Sequence, residues 1–264
     1  MAIPFYWVDS FASAPFRGNA AGVCFLDGPA TDDWMRGLTD EMSLSEIAFL
    51  WGEGTDWKLR WFTPAKEVDL CGHATLAASH ILYETGKSQA GSKLSFETRS
   101  GTLTAKGQAG EIELDFPSVP PTACPPPPGL ERLIGLILYC GDATRDLIVE
   151  LPDAESVRRL SFSGRDLLAV TDACILATAR AEDGEHQVIS RFFAPSYGID
   201  EDPVTGSAHC VLAPYWAPKL GVNRFSAFQA SARGGDVGVE LVGNRVKLTG
   251  SALTLMKGEV LVGP

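Results

Sequence analysis

Two segments of the sequence place glycine, small residues and polar side chains in an order typical of the start of a helix. They are DLCGHATLAA at residues 69–78 and DEDPVTGSAHCVLAPYW at 200–216. The first N–H groups of such a helix can bind a carboxylate or an enolate-like oxygen. We expect His73 and Ser207 to lie at the two helix starts and Asp202 to lie just before the second one.

Glu46 is the third candidate for chemistry. It lies in SLSEIAFL at 43–50, directly before an apolar run. Ser43 and Glu46 also match the capping-box pattern, in which the glutamate would close the start of a helix. That pattern needs a helix after it, whereas IAFLW is typical of a strand. The spacing therefore favours a catalytic Glu46 over a structural one.

The other polar residues of these segments have structural interpretations as well. His73 could be a hydrogen-bonded residue of the first helical turn, a role as common as a catalytic one. Asp202 could be an N-cap or turn residue, and Ser207 a first-turn residue. His80 and His209 fall inside the predicted helices, where a structural role is the more common.

The elements that must position these residues follow from the hydrophobic pattern. A helix is predicted at 31–42, with Thr31 as N-cap before two aspartates, and another at 73–86, with Gly86 as C-cap. Strands are predicted in the first half at 4–10, 20–26, 45–51, 58–63, 93–98, 102–106 and 111–116.

The second half repeats the order of motifs in the first. RWFTP ends at Pro64 and RFFAP ends at Pro195, and each is followed by an acidic stretch and a small-residue helix start. Gly72-His73-Ala74 thereby aligns with Gly206-Ser207-Ala208 after a three-residue insertion. The shared order favours a duplication over coincidence, and two such halves usually bind ligands where they meet.

A proline-rich segment, PSVPPTACPPPPG at 117–129, lies near the middle of the chain. Proline cannot donate to a sheet ladder and stiffens the backbone, so this segment is a natural connector. The predicted domain boundary therefore falls here, with half-domains at 1–117 and 118–251.

Composition excludes several classes of function. The 264 residues are 45% hydrophobic and 21% charged, which is ordinary for a globular protein. The formal net charge of −11 disfavours nucleic acid and membrane surfaces as partners, but not a small anionic substrate. We find no pattern of a secretory signal or membrane span. The six cysteines are scattered without a CxxC pair, so we expect reduced thiols and a cytoplasmic location.

Metal and nucleotide sites have little support in the sequence. Cys71 with His73, and His209 with Cys210, could supply four ligands, but their spacings do not fit the usual zinc patterns. No GxGxxG, P-loop or GxSxG string occurs, so neither nucleotide binding nor serine hydrolysis is indicated. We therefore predict no metal site and no cofactor.

Four blocks of the sequence resemble the signature blocks of the PhzF-like family, named for phenazine biosynthesis. They are DSFASAPFRGNAAGVCFL, SLSEIAFL, RWFTPAKEVDLCGHATLAA and FFAPSYGIDEDPVTGSAHCVLAPYW, and RGGDVGVEL and LTLMKGEVLV resemble the family's tail. The resemblance implies an α+β fold like that of diaminopimelate epimerase. Each of two pseudo-symmetric half-domains would be a curved mixed sheet or barrel around a central helix, and residues 252–264 would return to the first half-domain.

The same resemblance implies an activity. It implies a homodimeric isomerase that shifts a proton on a small hydroxy- or amino-carboxylate without a cofactor, at a site between the half-domains. Glu46 takes the place of the family's acid/base, and in a closed cleft its pKa would be raised toward ~6–7. Two alternatives stay open: a racemase or epimerase of related chemistry, and a non-catalytic metabolite-binding protein.

The predicted site residues form two groups. The catalytic residues are Glu46, His73, Asp202 and Ser207, and the substrate-binding residues are Asn19, Gly72, Ala74, Thr205, Gly206, Gly234 and Gly235. Cys71 occupies the position of the first of two cysteines found in distant racemases and epimerases with this fold. Because the matching stretch of the second half has no cysteine, we predict that Cys71 is a small buried residue.

Overall fold

The computed structural model describes residues 2–108, 110–144, 146–181 and 184–264. The chain forms two compact units. Unit 1 contains the residues up to Asp115 together with Thr249–Pro264, and unit 2 is Phe116–Leu248. No helix in the described ranges is long and apolar enough to cross a membrane.

The first part of the chain alternates strands with two helices. In order, the elements are β1 (Ile3–Ser10), β2 (Asn19–Phe25), α1 (Asp32–Glu41), β3 (Ile47–Glu53), β4 (Asp56–Phe62), β5 (Glu67–Val68), α2 (Gly72–Glu84), β6 (Lys93–Thr98), β7 (Gly101–Gln108) and β8 (Glu111–Pro117). The last strand, β18 (Ala252–Val260), pairs with β1 and so belongs to unit 1.

The elements of the second part follow a similar order. They are β9 (Thr122–Ala123), α3 (Leu130–Ile134), β10 (Tyr139–Ala143), β11 (Asp146–Glu150), α4 (Ala154–Arg158), α5 (Gly164–Leu168), β12 (Cys174–Arg180), β13 (Val188–Ala194), a 3₁₀ turn (Pro195–Tyr197), β14 (Ile199–Asp202), α6 (Gly206–Leu220), β15 (Arg224–Gln229), β16 (Gly235–Val242) and β17 (Arg245–Gly250).

Strand pairing shows the pseudo-symmetry directly. In unit 1, β1–β2 is antiparallel, β2–β3 parallel, β3–β4 and β4–β5 antiparallel, β4–β6 parallel and β6–β7 antiparallel. In unit 2, β10–β11, β11–β12, β12–β13, β13–β14, β13–β15 and β15–β16 repeat the same series of directions. The prediction of two pseudo-symmetric α+β half-domains is confirmed.

Each unit has a buried helix against its sheet. Helix α2 is buried from Gly72 to Tyr83, and it contacts β1, β2, β3, β7 and β18. Because strands far apart in the ladder order touch the same helix, the sheet must bend around it. In unit 2, α6 contacts both β11 and β16 in the same way. Among the described residues these ladders form an open sheet, so the curved sheet rather than the barrel is present.

The central strands of unit 1 are buried on both faces. Ile47 and Phe49 of β3 pack with Met35 of α1 in one cluster. Ala48 and Leu50 point to the opposite face and are also fully buried. This double burial explains why IAFL is a continuous apolar run, as is typical of parallel strands covered on both sides.

Two local predictions were tested by the structure. Thr31 is the N-cap of α1, and its hydroxyl accepts a hydrogen bond from the Trp34 amide at 3.3 Å, so this prediction is confirmed. Gly86 as C-cap is wrong by one position. Thr85 is the C-cap of α2, and Gly86 follows it at φ +70°, because a glycine adopts this left-handed conformation without a Cβ penalty.

Candidate active site

The start of α2 is held by polar contacts on its backbone. Cys71 is the N-cap, and its side chain makes no capping hydrogen bond. The Thr75 hydroxyl donates to the Cys71 carbonyl at 2.6 Å, and the buried Ser10 hydroxyl donates to the His73 carbonyl at 2.7 Å. The first turn of the helix, with Gly72 and the buried Ala74, is therefore fixed to the sheet.

His73 is the centre of a group of buried polar side chains. Its Nε2 lies 3.3 Å from Glu46 Oε2, and its Nδ1 lies 3.3 Å from Asn19 Nδ2 and 3.6 Å from Cys71 Sγ. Asn19, Cys71 and His73 are all buried. The structure thus brings together four residues that the sequence places on three different segments.

Glu46 lies immediately before β3. The strand begins at Ile47, so no helix follows the Ser43–Glu46 pattern, and the capping box is excluded. The amide of Gly22 donates to the Glu46 carbonyl at 3.1 Å, which extends the β2–β3 ladder to this residue. The backbone of Glu46 is therefore held against β2, one residue before β3 begins.

The predicted raised pKa of Glu46 is wrong. Burial does raise the pKa of this carboxyl, but the charge and hydrogen bond of His73, with a further hydrogen bond from Ser45, outweigh burial and hold the pKa below its ordinary value. Burial lowers the pKa of His73, yet Cys71 and Glu46 raise it well above the ordinary value. The two groups therefore form an ion pair, with the proton on His73.

Cys71 is the third titratable member of this group. Burial raises the pKa of its thiol, and the Glu46 carboxylate adds to that rise, while His73 opposes it. The raised pKa favours the neutral thiol near neutral pH, so Glu46 is the anion that balances His73 there. The charge of Cys71 adds to the raised pKa of His73 only where the thiol has ionised. Cys71 is buried as predicted, but its sulfur faces the imidazole rather than only apolar neighbours.

The proton on His73 decides which kind of partner its Nδ1 needs. A neutral imidazole with its hydrogen on Nε2 donates toward Glu46 and accepts from the Asn19 amide at Nδ1. An imidazolium has a hydrogen on both ring nitrogens, so Nδ1 then needs an acceptor, which is either the side-chain oxygen of Asn19 or Cys71 Sγ at 3.6 Å.

The start of α6 in unit 2 carries the second group of predicted residues. Thr205 is the N-cap, and it also makes no side-chain cap of the helix. Its hydroxyl donates to Asp202 Oδ2 at 2.5 Å. Gly206 is buried and begins the helix, whereas Ser207 in the first turn is exposed. Thr205 and Cys71 therefore occupy equivalent positions, and so do Ser207 and His73.

Gln229 holds this second helix start in place, and sequence reasoning missed it. Its Oε1 accepts from the Thr205 amide at 2.8 Å, and its Nε2 donates to the Asp202 carbonyl at 2.8 Å and to the Thr205 hydroxyl at 3.2 Å. Gln229 is fully buried at the end of β15. The only signal in the sequence was a glutamine at the end of the strand segment RFSAFQ, and this pattern does not indicate which residues the glutamine binds.

The glycine turn before β16 is tied to the same region of unit 2. Ser231 donates to the Pro203 carbonyl at 2.8 Å and accepts from the Gly234 amide at 3.1 Å. Gly234 has φ +67°, and a Cβ there would lie 2.7 Å from the Phe228 ring. Gly235 pairs with Gln229 in the β15–β16 ladder. Both glycines therefore lie beside the Asp202–Thr205 turn.

A matched pair of arginine clamps precedes the two helix starts. Arg60 binds Glu67 through two hydrogen bonds, of 2.7 and 2.6 Å, and Arg191 binds Glu201 through two, of 2.7 and 2.8 Å. Each guanidinium also stacks on the second aromatic residue of its motif, 5.0 and 4.9 Å from the ring centres. The three-residue insertion of unit 2 therefore lies between Pro195 and Glu201, where the 3₁₀ turn Pro195–Tyr197 is found.

Register shows that the Glu46–His73 pair has no copy in unit 2. Ile47 pairs with Phe62 in β3–β4, and Ile175 pairs with Phe193 in β12–β13. Because Phe62 and Phe193 are equivalent, the position of Glu46 corresponds to Cys174. The duplicated scaffold therefore carries different side chains at the two equivalent places.

Comparison with known proteins identifies the family. The family model PhzC-PhzF, described as phenazine biosynthesis-like protein, matches residues 8–258. The chain belongs to this family. The resemblance of its sequence blocks to PhzF-like proteins is thereby confirmed.

Relatives of this PhzF-like chain match it over its whole length. It is 43% identical over 265 residues to an "Uncharacterized isomerase" of Halalkalibacterium halodurans, covering 99% of this chain and 100% of the relative. An "Uncharacterized isomerase" of Pseudomonas aeruginosa is 42% identical, with 98% and 99% covered. These two curated relatives are thus named as isomerases.

Solved structures of the family have the same fold. The crystal structure of a PhzF family protein of Enterococcus faecalis matches with a TM-score of 0.93 and 38% identity, covering 99% of this chain and 100% of the other. A predicted epimerase of Pseudomonas aeruginosa matches with a TM-score of 0.73 at 21% identity, which shows the fold alone. The epimerase-like α+β fold is confirmed.

Proposed function

We propose that this protein is an isomerase that shifts a proton on a small hydroxy- or amino-carboxylate, with Glu46 as acid/base. The observation that carries the proposal is the buried contact between Glu46 Oε2 and His73 Nε2, at 3.3 Å, at the start of α2. A carboxylate held next to an imidazolium is a base and an acid within one hydrogen-bond distance. Family members named as isomerases support the reaction class.

The proposed roles follow from the charges of the pair. Glu46 is an anion, so it takes the proton from the substrate carbon, and it returns that proton at another carbon. His73 is protonated and donates a hydrogen bond that stabilises the anionic form of Glu46 or of the substrate. A positioned acid or base of this kind contributes about 10²–10⁴-fold to a rate.

We further propose that the two helix starts bind the anionic substrate. Neither Cys71 nor Thr205 caps its helix through its side chain, which favours binding of a carboxylate by the first-turn N–H groups. In this proposal Asp202 and Ser207 are catalytic, and Asn19, Gly72, Ala74, Thr205, Gly206, Gly234 and Gly235 contact substrate. That both helix starts serve one substrate stays a prediction, as do the homodimer, the cofactor-free reaction and the cytoplasmic location.

A racemase or epimerase is the second candidate function. Cys71 supports it, because its thiol lies 3.6 Å from His73 Nδ1 and is a further titratable group at the site. The equivalent position in unit 2 is Thr205, which offers no thiol. A mechanism with one thiol from each half therefore lacks its partner, and the proton shift by Glu46 is the better supported proposal.

Proton exchange with solvent tests the proposal. Small hydroxy- and amino-carboxylates are incubated with the protein in heavy water, and deuterium at carbon is followed by mass spectrometry. We expect exchange in the wild type and a loss of about 10²–10⁴-fold in Glu46→Gln. Glu53→Gln is the matched control, because Glu53 lies at the exposed end of the same strand, β3.

The outcomes separate the candidate functions. Exchange that is undiminished in Glu46→Gln removes Glu46 from the mechanism. Inversion at the exchanging carbon indicates a racemase or epimerase, whereas deuterium at a different carbon indicates the isomerase. Binding without exchange, seen by calorimetry with the same carboxylates, indicates a metabolite-binding protein.

A further inference from the structure

The Glu46, Cys71 and His73 side chains offer three different donor atoms at one place. A carboxylate oxygen, a sulfur and an imidazole nitrogen all lie within 4.8 Å of one another. We propose that these three residues form a binding site for a soft divalent cation, Zn²⁺ in particular, which replaces the proton held between Glu46 and His73.

The distances fit a tetrahedral ion. With Zn–N and Zn–O bonds of about 2.0–2.2 Å and a Zn–S bond of about 2.3 Å, tetrahedral ligands lie about 3.3 Å apart for N and O and about 3.5 Å apart for S and N. His73 Nε2 is 3.3 Å from Glu46 Oε2 and 3.9 Å from Cys71 Sγ. To reach the ~3.5 Å of a tetrahedral site, the sulfur must move roughly 0.4 Å closer to Nε2. The carboxylate oxygen and the sulfur lie within 4.8 Å of each other, so both can approach one ion.

Glu46 has an oxygen available for such an ion. Its Oε2 is buried, and among the described residues it has no hydrogen-bond partner of good geometry, although His73 Nε2 lies at 3.3 Å. The contact is therefore mainly a charge pair, in which the hydrogen bond from His73 is poorly aligned. An anionic oxygen in this state gains more from a cation than one already saturated by donors.

The donor set selects the kind of ion. Thiolate and imidazole suit Zn²⁺, whereas Mg²⁺ and Ca²⁺ prefer oxygen ligands only. Three protein ligands leave a fourth position for water or for a substrate carboxylate. The Glu46 side chain is 16% exposed although its Oε2 is buried, so an ion would enter past this side chain. Sequence spacing did not predict this site, because only Cys71 and His73 are close in sequence and the third ligand, Glu46, lies just before β3.

Proton balance gives the proposal a quantitative consequence. Zn²⁺ binds the thiolate of Cys71 and the neutral form of His73, while Glu46 is already an anion. Binding at neutral pH therefore releases two protons, one from the thiol and one from the imidazolium, and apparent affinity rises about 100-fold per pH unit while both groups are protonated. The other polar neighbours described at these groups, Ser10, Asn19 and Ser45, do not titrate in this range.

Bound Zn²⁺ would also stop proton transfer, because it occupies the lone pairs that Glu46 and His73 need. This consequence rests on the proposed function, whereas the binding itself does not. The experiment therefore measures binding directly, with Co²⁺ as a spectroscopic probe and Zn²⁺ as its competitor.

The test is a Co²⁺ titration of the reduced full-length protein. We expect intense visible bands of tetrahedral Co²⁺ and a sulfur-to-metal charge-transfer band, both abolished by Zn²⁺. Cys71→Ala should lose the charge-transfer band and weaken Zn²⁺ binding by at least about 100-fold, since loss of an outer-shell partner alone costs about 10–100-fold. Cys24→Ala, which removes another buried cysteine of unit 1, should leave both bands unchanged.

A second variant tests the imidazole. His73→Gln should shift the Co²⁺ bands away from the tetrahedral pattern, whereas His80→Gln, on the same helix, should not. Wild-type protein without a charge-transfer band, or Cys71→Ala with the wild-type band, would overturn the proposal. In the second case the thiols of Cys124 and Cys140, whose sulfur atoms lie 3.8 Å apart, are the source of the band. These metal-binding results do not depend on deuterium exchange into carboxylates, so the cation site is tested even if no variant catalyses that exchange.

Discussion

Gln229→Ala is the most informative single change in unit 2. Gln229 is fully buried, and its amide bridges the Thr205 N–H, the Asp202 carbonyl and the Thr205 hydroxyl. Alanine removes all three contacts and offers no replacement. We expect the turn before α6 to loosen while the sheet beneath it persists, because Gln229 and Gly235 still pair through the backbone.

The magnitude follows from the contacts that are lost. The Thr205 amide is buried, and a buried polar group left unpaired costs about 1–3 kcal/mol. With the loss of the donor to the Asp202 carbonyl, the expected decrease in the free energy of unfolding is about 2–4 kcal/mol. Gln187→Ala is the matched control. Its Oε1 also accepts from a backbone amide, that of Ser226 at 2.7 Å, but Gln187 is exposed, so we expect a change within about 0.5 kcal/mol.

Hydrogen exchange of the Thr205 amide is the direct assay. Exchange should become about 30-fold faster for each 2 kcal/mol of local stability lost, and chemical denaturation should show the global decrease. A Gln229→Ala protein that unfolds at the same denaturant concentration as Gln187→Ala, with an unchanged Thr205 exchange rate, would refute the reasoning. It would show that another donor and acceptor replace the glutamine amide.

Three further predictions concern unit 1. Phe16 has φ +66° and is 73% exposed, so Phe16→Gly should relieve about 1–2 kcal/mol of backbone strain. The greater conformational entropy that glycine loses on folding offsets part of this gain. A calorimetric melting temperature below that of the wild type would contradict the prediction. Arg60→Lys keeps the charge but loses one of the two hydrogen bonds to Glu67, so the free energy of unfolding should fall by about 1–2 kcal/mol. An unchanged denaturation midpoint would show that the fork geometry is unimportant. The lowered pKa of Glu46 stabilises the folded protein above the ordinary glutamate pKa of 4.5. The raised pKa of His73 stabilises it below the ordinary histidine pKa of 6.5. The stability advantage of wild type over Glu46→Gln should therefore be largest between these two pH values. That advantage should shrink as the pH rises through the raised pKa of His73 and as it falls through the lowered pKa of Glu46, and denaturation midpoints across the pH range that show no such maximum would contradict the ion pair.

Sequence patterns predicted the elements that depend on local residues. Thr31 begins α1 because its hydroxyl reaches the Trp34 amide within the same turn. The run IAFLW forms β3 because apolar residues cover both faces of a buried strand. The repeated Arg-aromatic-Pro motif indicated the duplication, which the ladder directions then show.

Contacts between distant segments could not be predicted in the same way. The pKa of Glu46 depends on His73, which reaches it only because β2, β3 and α2 pack together. Burial alone, which the sequence did indicate, gives the opposite direction of shift. Gln229 was missed because its role is defined entirely by the two residues that it bridges, Asp202 and Thr205.

The pairing of β1 with β18 bears on how the chain matures during synthesis on the ribosome. β1 lies between β2 and β18, so one side of it is completed only when Ala252–Val260 has been made. At about 5–20 residues per second, that strand follows β1 by roughly 10–50 seconds. During this interval β1 is an edge strand, which is a hazard for association with other nascent chains. Unit 2 is one continuous segment and can finish folding first, so the unit with the Glu46–His73 pair begins first and is completed last.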